Sequence, residues 1–544
     1  MMRTQSAVTK AAGIMMAAIF LSRIIGLVRE SVITGYFGQG TSTDVYFAAF
    51  NLPDLLFYLI AGGVLSSAFI PVFVEHITNG KREEAWRIFN IVLTVMTIVI
   101  GTLIIIGFVF ARQLVPIVAA PGFTEEQIER VTVIARIVLP AQLFFFLGGL
   151  FMGAQWAHQR FLIPGLGPSI YNIGIIIGGA ITGAMIGPDA VQGLAWGGLG
   201  GAFVGNFLLQ GLMIKRLGGN FKLSLNVRHP GAMQVWKLMI PVIFSLSLAH
   251  VDIIVNRWFA TYLFDGAVSS LTRADRLMQV PIGIFGQAVG IGFFPTLSAL
   301  AASGAMKDFR QTVNYGLRIL MFVSIPAMVL LIVLGKPVIQ ALFQHGLFVA
   351  QDTNDVYVAL VAYSLGIYFW CAHAIVARAF FSMQDTLTPV LVGTVATIIF
   401  VPLNWILMVL LGNIDPRLPH VGLALATTIS AGLHVGILGV LLRKRIEGIG
   451  AKQLLVTAGK VGLASILMGG AAWVGAFLLT PIVVAATAGV KVTAIAQLVV
   501  GGGLGAVVFL LTIRLLKMEE STAAWNMVKR RFIRGRPASD EEQT

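Results

Sequence analysis

Apolar residues dominate this chain in runs of about twenty or more, the length a helix needs to cross a bilayer, with short polar breaks between them. About fourteen such runs are predicted, at 11–36, 43–74, 88–112, 129–156, 162–186, 191–214, 234–263, 267–299, 311–334, 354–382, 388–411, 419–442, 453–479 and 492–515. Segments this long and this uniformly apolar read as helices, because membrane barrels use shorter, alternating ones. One stretch departs from the pattern. Between Ser22 and Pro71, inside two runs long enough to span, stand Arg23, Arg29, Glu30, Asp44 and Asp54. A charge at mid-membrane costs roughly 3 kcal/mol on insertion scales, so several together require a shared polar interior.

Composition sets the class. Of 544 residues, 57% are hydrophobic and only 11% charged, against about 25% charged in soluble proteins. The chain is therefore read as an all-α polytopic membrane protein. Its single cysteine, Cys371, rules out a disulfide within the chain and argues against zinc chemistry. The first twenty residues resemble a signal peptide, but the apolar run continues through Arg23 to Tyr36, so it is read as a retained first span.

Charge in the connections sets the orientation. Lys81, Arg82 and Arg87, then Lys215, Arg216, Lys222, Arg228 and Lys237, and later Arg443, Lys444, Arg445 and Lys452 fall in alternate connections, whereas GYFGQGTSTD, IGPDAVQG and LFDGAVSS hold no basic residue. The positive-inside rule then places both termini in the cytoplasm. The final KRRFIRGRPASDEEQT reads as a solvated basic tail against anionic headgroups, and no nucleic-acid partner is expected.

The two halves resemble each other. Pro53 pairs with Pro281 (281 − 53 = 228), Phe123 with Phe348 (348 − 123 = 225) and Pro164 with Pro389 (389 − 164 = 225). Two six-helix parallel repeats follow, an N-lobe over 1–228 and a C-lobe over 229–446 around a central cavity, then two C-terminal helices in 447–517 and a tail in 518–544. Six is even, so the repeats share one orientation, and rocking of the lobes would expose the cavity to one side at a time.

At the repeat offset, Arg29 answers to Arg257 and Asn51 to Gln279. Arg273, Arg276, Gln279, Gly283, Gln287 and Gly290 recur at helical spacing, predicting one basic and amide-bearing face suited to a large polar anion. Arg23 and Arg29 lie on different faces of their helix. The plainer alternatives are helix-to-helix ion pairs for Arg29 with Glu30 and for Asp275 with Arg276, a capping role for Asp54, and packed imidazoles for His250 and His373. Taken together, the basic groups exceed the acids Glu30, Asp44, Asp252 and Asp275, which favours an anionic ligand. No P-loop, HExxH or Cys/His cluster is present, so no enzyme activity and no cofactor are expected. The glycines of GAMIGPDAVQGLAWGGLGGAFVG are assigned to close helix packing.

SRIIGLVRE, FGQGTSTDVYFAAFNLPDLL, AFIPVF, APGF, RADRLMQVPIGIFGQAVGIGFFPTLS and the QHG segment resemble the MurJ (MviN) lipid II flippases of the MOP exporter superfamily along nearly the whole chain. The resemblance implies a multi-pass protein of the bacterial cytoplasmic (inner) membrane that moves undecaprenyl-pyrophosphate-linked peptidoglycan precursor, lipid II, from the cytoplasmic to the periplasmic leaflet. Carried over by position, it implies substrate-binding roles for Arg23, Arg29, Asp44 and Arg276, beside Asn51, Arg257, Arg273 and Gln279 from the residue pattern. It implies a lipid-tail groove along 453–479 and 492–515. Asp252, Asn404 and Thr428 are the candidates for a cation site found in some members, without the second acid expected in the eleventh span. This chain departs from the family at Phe57 and Tyr58, where basic residues are usual, and at Gln279, where Glu is usual.

The expected mechanism is alternating access without covalent chemistry, driven by membrane potential or a sodium gradient, with membrane lipids and cell-wall synthesis proteins as further partners. The alternatives are an exporter of another lipid-linked oligosaccharide, of O-antigen or capsule type, and a non-transporting scaffold for cell-wall synthesis. A drug exporter is disfavoured by the basic polar set.

Overall fold

In the computed structural model the described residues, 2–60, 68–248, 251–483 and 489–518, are helices and their connections, with no strand among them. His250 and nearly all of the 518–544 tail lie outside them. In chain order the α-helices are α1 (Met2–Phe37), α2 (Thr41–Ala48), α3 (Asn51–Ile60), α4 (Ile70–Thr78), α5 (Arg82–Val109), α6 (Ala111–Leu114), α7 (Glu125–Val138), α8 (Ala141–Ala157), α9 (Leu162–Met185), α10 (Gln192–Ala202), α11 (Leu209–Arg216), α12 (Pro230–Leu248), α13 (Val251–Ala260), α14 (Ala267–Pro281), α15 (Gln287–Ala302), α16 (Met306–Phe343), α17 (Ala350–Ser364), α18 (Ile367–Ser382), α19 (Leu387–Gly412), α20 (Pro419–Arg445), α21 (Ala451–Trp473), α22 (Thr480–Val483) and α23 (Val490–Leu515).

Among the described residues ten segments are long and apolar enough to cross a membrane, and they coincide with ten of the fourteen predicted runs. The other four, at 11–36, 43–74, 234–263 and 267–299, are the ones that hold Arg23, Arg29, Asp44, Asp54, Arg257, Arg273 and Arg276. Two of these are interrupted where the sequence supplies a reason. The second run breaks at Ala49 and Phe50, and α3 restarts with Pro53 in its first turn, where a missing N–H is harmless. The eighth run breaks at Pro281. A proline there cannot donate back along the helix, and the next turn, Ile282–Gly286, is a π-turn.

That π-turn corrects one expectation. A π-turn carries an extra residue, which rotates everything beyond it by about 100°. The face begun by Arg273, Arg276 and Gln279 therefore does not continue to Gly290, and the Gln287 side chain lies outside what is described. Instead Gly286 lies against Cys371, and a side chain at Gly290 would collide with the Arg378 guanidinium.

The chain forms two compact units. The first comprises 1–274, 342–359 and 397–426, so its limits cut through the 229–446 region. Its core is an aromatic cluster in which Phe73 meets Trp86 edge-on at 5.4 Å and Phe89 stacks on Phe151 at 6.1 Å. Helices α9 and α10 pack backbone to backbone, since a methyl group at Gly174 or Gly178 would strike the carbonyl of Gly197 or Gly193. In lipid, where apolar surface has no water to escape, such close packing is the main source of helix association. The glycine-rich segment is thus a packing surface. Helix α7 begins with a capping box, the Thr124 hydroxyl and the Gln127 side chain each bonding the other's backbone N–H.

The second unit comprises 275–341, 360–396 and 427–544. Here α21 and α23 pack on each other where Gly501 lies on the Ala472 carbonyl, and α16 covers them with Phe322 against Phe509 at 5.8 Å. The Asn314 amide donates to the carbonyls of Ile449 and Gly450, which fixes the start of α21.

Candidate functional site

Asp44, in the first turn of α2, is 3% exposed. Its Oδ2 accepts from the Gly266 N–H at 2.6 Å and its Oδ1 from the Ser269 N–H at 2.7 Å. These donors belong to the start of α14, where the unpaired N–H groups and the helix dipole both favour an anion. The carboxylate predicted to meet substrate is occupied by a helix N-terminus.

One turn further along α14, Arg273 is completely buried. Its two terminal nitrogens donate to Gln39 Oε1 and to the Gly38 carbonyl, each at 2.9 Å, and its guanidinium lies 5.8 Å from the Phe47 ring and 5.4 Å from the Phe348 ring. Gly38 turns with φ +64°, a conformation only glycine adopts at little cost. Gln39 also donates to the Ser270 hydroxyl. The α1–α2 turn is thereby tied to the first turns of α14.

Two loops make reciprocal contacts nearby. Gly346, in the QHG segment, has φ +59° and lies on the backbone of Gly35 near the end of α1, where the Leu347 N–H donates to the Gly35 carbonyl at 3.2 Å and the Ser31 hydroxyl to the Leu342 carbonyl at 2.8 Å. Gly122, in the APGF segment, lies on the Thr261 backbone at the end of α13, and its N–H donates to the Thr261 hydroxyl at 3.0 Å. In each case a side chain on the glycine would prevent the approach. These two motif glycines are explained by docking.

Two further polar clusters belong to the first unit. Arg257 of α13 donates to Asp54 at 2.9 Å and to the Asn51 side-chain carbonyl at 3.3 Å, while the Asn51 amide donates to the Ala119 carbonyl. Arg29 of α1 donates to Glu30 at 3.0 Å and to the Asn172 side-chain carbonyl of α9 at 2.8 Å. The side chains of Arg29 and Arg257 keep 15% and 14% exposure, in contrast to Arg273. Arg23 is exposed on α1. Among these, Arg29 and Arg257 combine a fixed direction with accessible surface, which an anion site needs.

A family profile described as Lipid II flippase MurJ matches residues 33–493. The chain belongs to the MurJ family. A relative from Burkholderia cenocepacia, named Lipid II flippase MurJ, is 29% identical over 430 residues, covering 78% of this chain and 82% of its own. One from Haemophilus influenzae, named "Probable lipid II flippase MurJ", is 28% identical over 472 residues, covering 83% and 90%. Among solved structures, "Lipid II flippase MurJ, inward closed conformation" has a TM-score of 0.74 at 24% identity, covering 93% of this chain and 99% of that one. An inward-facing multidrug transporter of the MATE family, also of the MOP superfamily, has a TM-score of 0.65 at 15% identity, covering 80% and 98%. At these identities the structural likeness establishes the fold.

In this MurJ-family chain Arg276 and Gln279 belong to the second unit, Arg276 half-buried and Gln279 exposed. Phe57, standing where a basic residue is usual, packs edge-on against Phe145 at 6.4 Å. Of the cation candidates, Asp252 is half-buried, Thr428 donates to the Ala362 carbonyl, and Asn404 is fully buried with its Oδ1 lacking a hydrogen-bond partner. That orphaned oxygen is the kind of donor a hard cation takes. His373 has a neighbour that helical spacing did not reveal, because His434 reaches it from α20 with ring centroids 4.6 Å apart. Asn172 and Glu30 orient Arg29 across 143 residues and one residue respectively, and only the second distance is visible in sequence.

Proposed function

We propose that this protein is a lipid II flippase of the bacterial inner membrane, carrying the undecaprenyl-pyrophosphate-linked precursor from the cytoplasmic to the periplasmic leaflet by alternating access. The observation that carries the reading is the family match over 33–493, which takes in nearly every predicted span. Arg29 and Arg257 supply partly accessible, pre-oriented guanidinium groups for a pyrophosphate, with Arg23, Arg276 and Gln279 as further polar contacts. Asn51 positions Arg257. Asp44 and Arg273 act on the substrate indirectly, by holding the α1–α2 turn to α14 and so closing one end of the path. The positive-inside rule supports reading that closed end as outside and both termini as cytoplasmic.

Translocation needs no bond made or broken, so the protein works as a transporter and not as an enzyme. Release is driven by membrane potential or a sodium gradient, with Asp252, Asn404 and Thr428 as the residues that would hold the ion. Its lipid-tail groove is assigned to α21 and α23, and cell-wall synthesis proteins are its working partners. Purified protein in vesicles, given lipid II with and without a sodium gradient or an imposed potential, tests the reading. Transfer of lipid II across the bilayer is expected. Intact, folded protein that moves none would support the scaffold alternative, and equal transfer of an O-antigen-type lipid-linked sugar would support the wider exporter.

A further inference from the structure

The connection from α11 to α12, residues 217–229, has neither helix nor strand and alternates in polarity: Phe221, Leu223, Leu225 and Val227 stand between Lys222, Ser224, Asn226 and Arg228. In an extended chain, successive side chains point to opposite sides. A loop surrounded by water would turn the polar set outward, yet Leu223 is 93% exposed and Leu225 66%. Leucines this exposed fit an apolar surrounding.

The hydrogen bonds trace where the connection runs. Arg82, in the first turn of the membrane-length helix α5, donates to the Leu217 carbonyl. Two turns along α5, the Asn90 side chain accepts from the Lys222 N–H at 3.3 Å and donates to the Asn220 carbonyl at 2.8 Å. One turn further, the Thr94 hydroxyl accepts from the Ser224 N–H at 3.1 Å. Phe221 packs on Phe89 and Phe151 of the aromatic cluster, at 6.3 and 5.8 Å. The chain then reverses. The Val227 N–H donates to the Leu225 carbonyl and the His229 N–H to the Asn226 carbonyl, and the His229 ring meets the Glu84 carboxylate at 2.7 Å, back at the start of α5. The connection thus runs down beside α5 and returns. Its low point is at Thr94, seven residues past Arg87 (94 − 87 = 7), or about 10 Å along the helix axis. At the boundary of headgroups and acyl chains, backbone groups still reach water while apolar side chains enter the hydrocarbon.

Behind this dip, a cavity of about 880 Å³ lies between the connection, α5 and α11. Its lining is polarised. Lys215, two residues before Leu217, and Lys222, level with Asn90, stand toward the start of α5, whereas Ile98 and Leu208 lie two turns further in, with Leu93 and Leu212 between. Leu208, Leu212 and Lys215 recur at helical steps, so one face leading through α11 supplies both apolar wall and cation. An anionic phospholipid matches this order, with its phosphate beside the lysines and a chain along the wall. Phospholipid surrounds the protein, so it is the amphiphile with direct access.

We propose that residues 217–229 dip into the cytoplasmic leaflet and, with α5 and α11, seat one acyl chain of an anionic phospholipid whose phosphate faces Lys215 and Lys222. The positive-inside rule supports reading this end as cytoplasmic. The site lies within the first unit and does not depend on lipid II as the cargo.

The test uses the full chain in phosphatidylcholine vesicles, in a Cys371→Ala background with one introduced cysteine carrying a fluorophore. A label at Leu223→Cys should be quenched by acyl-brominated phosphatidylcholine and be about fivefold less open to aqueous iodide than a label at Asn79→Cys, in the exposed turn before α5. Equal iodide quenching at the two positions overturns the dip. For the occupant, a label at Leu212→Cys is read with brominated phosphatidylglycerol and brominated phosphatidylcholine at equal mole fraction. Phosphatidylglycerol should quench about threefold more steeply in the parent. The preference should persist in Lys215→Arg, Lys222→Arg and vanish in Lys215→Gln, Lys222→Gln, with phosphatidylcholine quenching unchanged as the sign of an intact fold. Equal quenching by both lipids in the parent, or a preference that survives the double Gln variant, overturns the site. Displacement of brominated phosphatidylglycerol by equimolar undecaprenyl diphosphate overturns the assignment to a phospholipid. None of these outcomes bears on the flippase reading.

Discussion

Asp44 and Ser269, 225 residues apart, meet at 2.7 Å, the carboxylate of one on the backbone N–H of the other. The same carboxylate takes the Gly266 N–H, so one side chain closes the open start of α14. Replacing Asp44 with Ala leaves two buried N–H groups unsatisfied, and charge-assisted bonds of this kind contribute roughly 2 kcal/mol each. We expect Asp44→Ala to loosen the α1–α2 turn from α14. The readout is the labelling rate of a cysteine introduced at Ser270, which is fully buried here. Labelling should rise at least tenfold, against little background from the native, buried Cys371. An unchanged rate would sink the closing role given to Asp44.

Arg257 and Asp54 offer a cleaner separation of structure from transport. Removing one partner strands the other charge in a half-buried setting, which costs more than removing both. Arg257→Ala should therefore lower thermal stability, and the double variant Arg257→Ala, Asp54→Ala should recover part of it. If Arg257 contacts the pyrophosphate, the double variant stays inactive in the vesicle assay despite that recovery. Recovery of both stability and transport would reduce Arg257 to an ion-pair partner.

For Arg29, transport is the sensitive measurement. Arg29→Ala is expected to fail to complement loss of the essential flippase, and Arg29→Lys to complement poorly, because a lysine ammonium lacks the planar fork that bonds Glu30 and Asn172 while presenting paired donors to a phosphate. Asn172→Ala, which leaves the charge and removes its orientation, should give an intermediate defect. Full complementation by Arg29→Ala together with Arg276→Ala would count heavily against the anion site.

Gly178 tests the packing of α9 on α10. Gly178→Val drives a branched side chain into the Gly193 backbone, and overpacking in a tight contact costs about 1–3 kcal/mol or more. Melting of the solubilised protein should fall by several degrees, whereas Gly200→Val, at a position with open space around it, should melt like the parent.

Stability below neutral pH is set in part by Asp385, in the connection before α19. Burial pushes its pKa up, but the Thr388 N–H at 3.0 Å, the Thr388 hydroxyl at 2.7 Å and the Arg445 guanidinium outweigh burial and leave it below the ordinary carboxylate range. A depressed folded-state pKa stabilises the fold above the unfolded value of about 3.9, and that contribution disappears as pH falls through the folded value. The melting difference between the parent and Asp385→Asn should be flat from pH 7 to pH 5 and shrink below about pH 4. A difference that instead grew on acidification would contradict the assignment.

The sequence made the helical class readable because twenty-residue apolar runs have one solution in lipid. It also located the polar stretch, since Arg29, Asp44 and Asp54 are conspicuous among apolar neighbours. Partners were beyond it. Nothing in the spacing says that Asp44 faces a helix start while Arg257 faces Asp54, because both are long-range pairings. The face expected along Arg273, Arg276 and Gly290 failed for a local reason, the π-turn after Pro281, which simple 3.6-residue counting ignores. His373 looked alone for the opposite reason: its neighbour, His434, comes from another helix. Phe57 shows a motif position that keeps its place in the fold with different chemistry, a ring packed on Phe145 in place of a charge.

Gly346 on Gly35 and Gly122 on Thr261 have a joint effect that neither has alone. With one loop seated, the other is confined near its docking site, so its effective concentration there stays high and a single detachment is quickly reversed. The pair behaves as a bivalent clasp whose avidity exceeds either contact. Separation at this end is then close to all-or-none, and a bulky residue at either glycine should weaken the whole clasp rather than half of it.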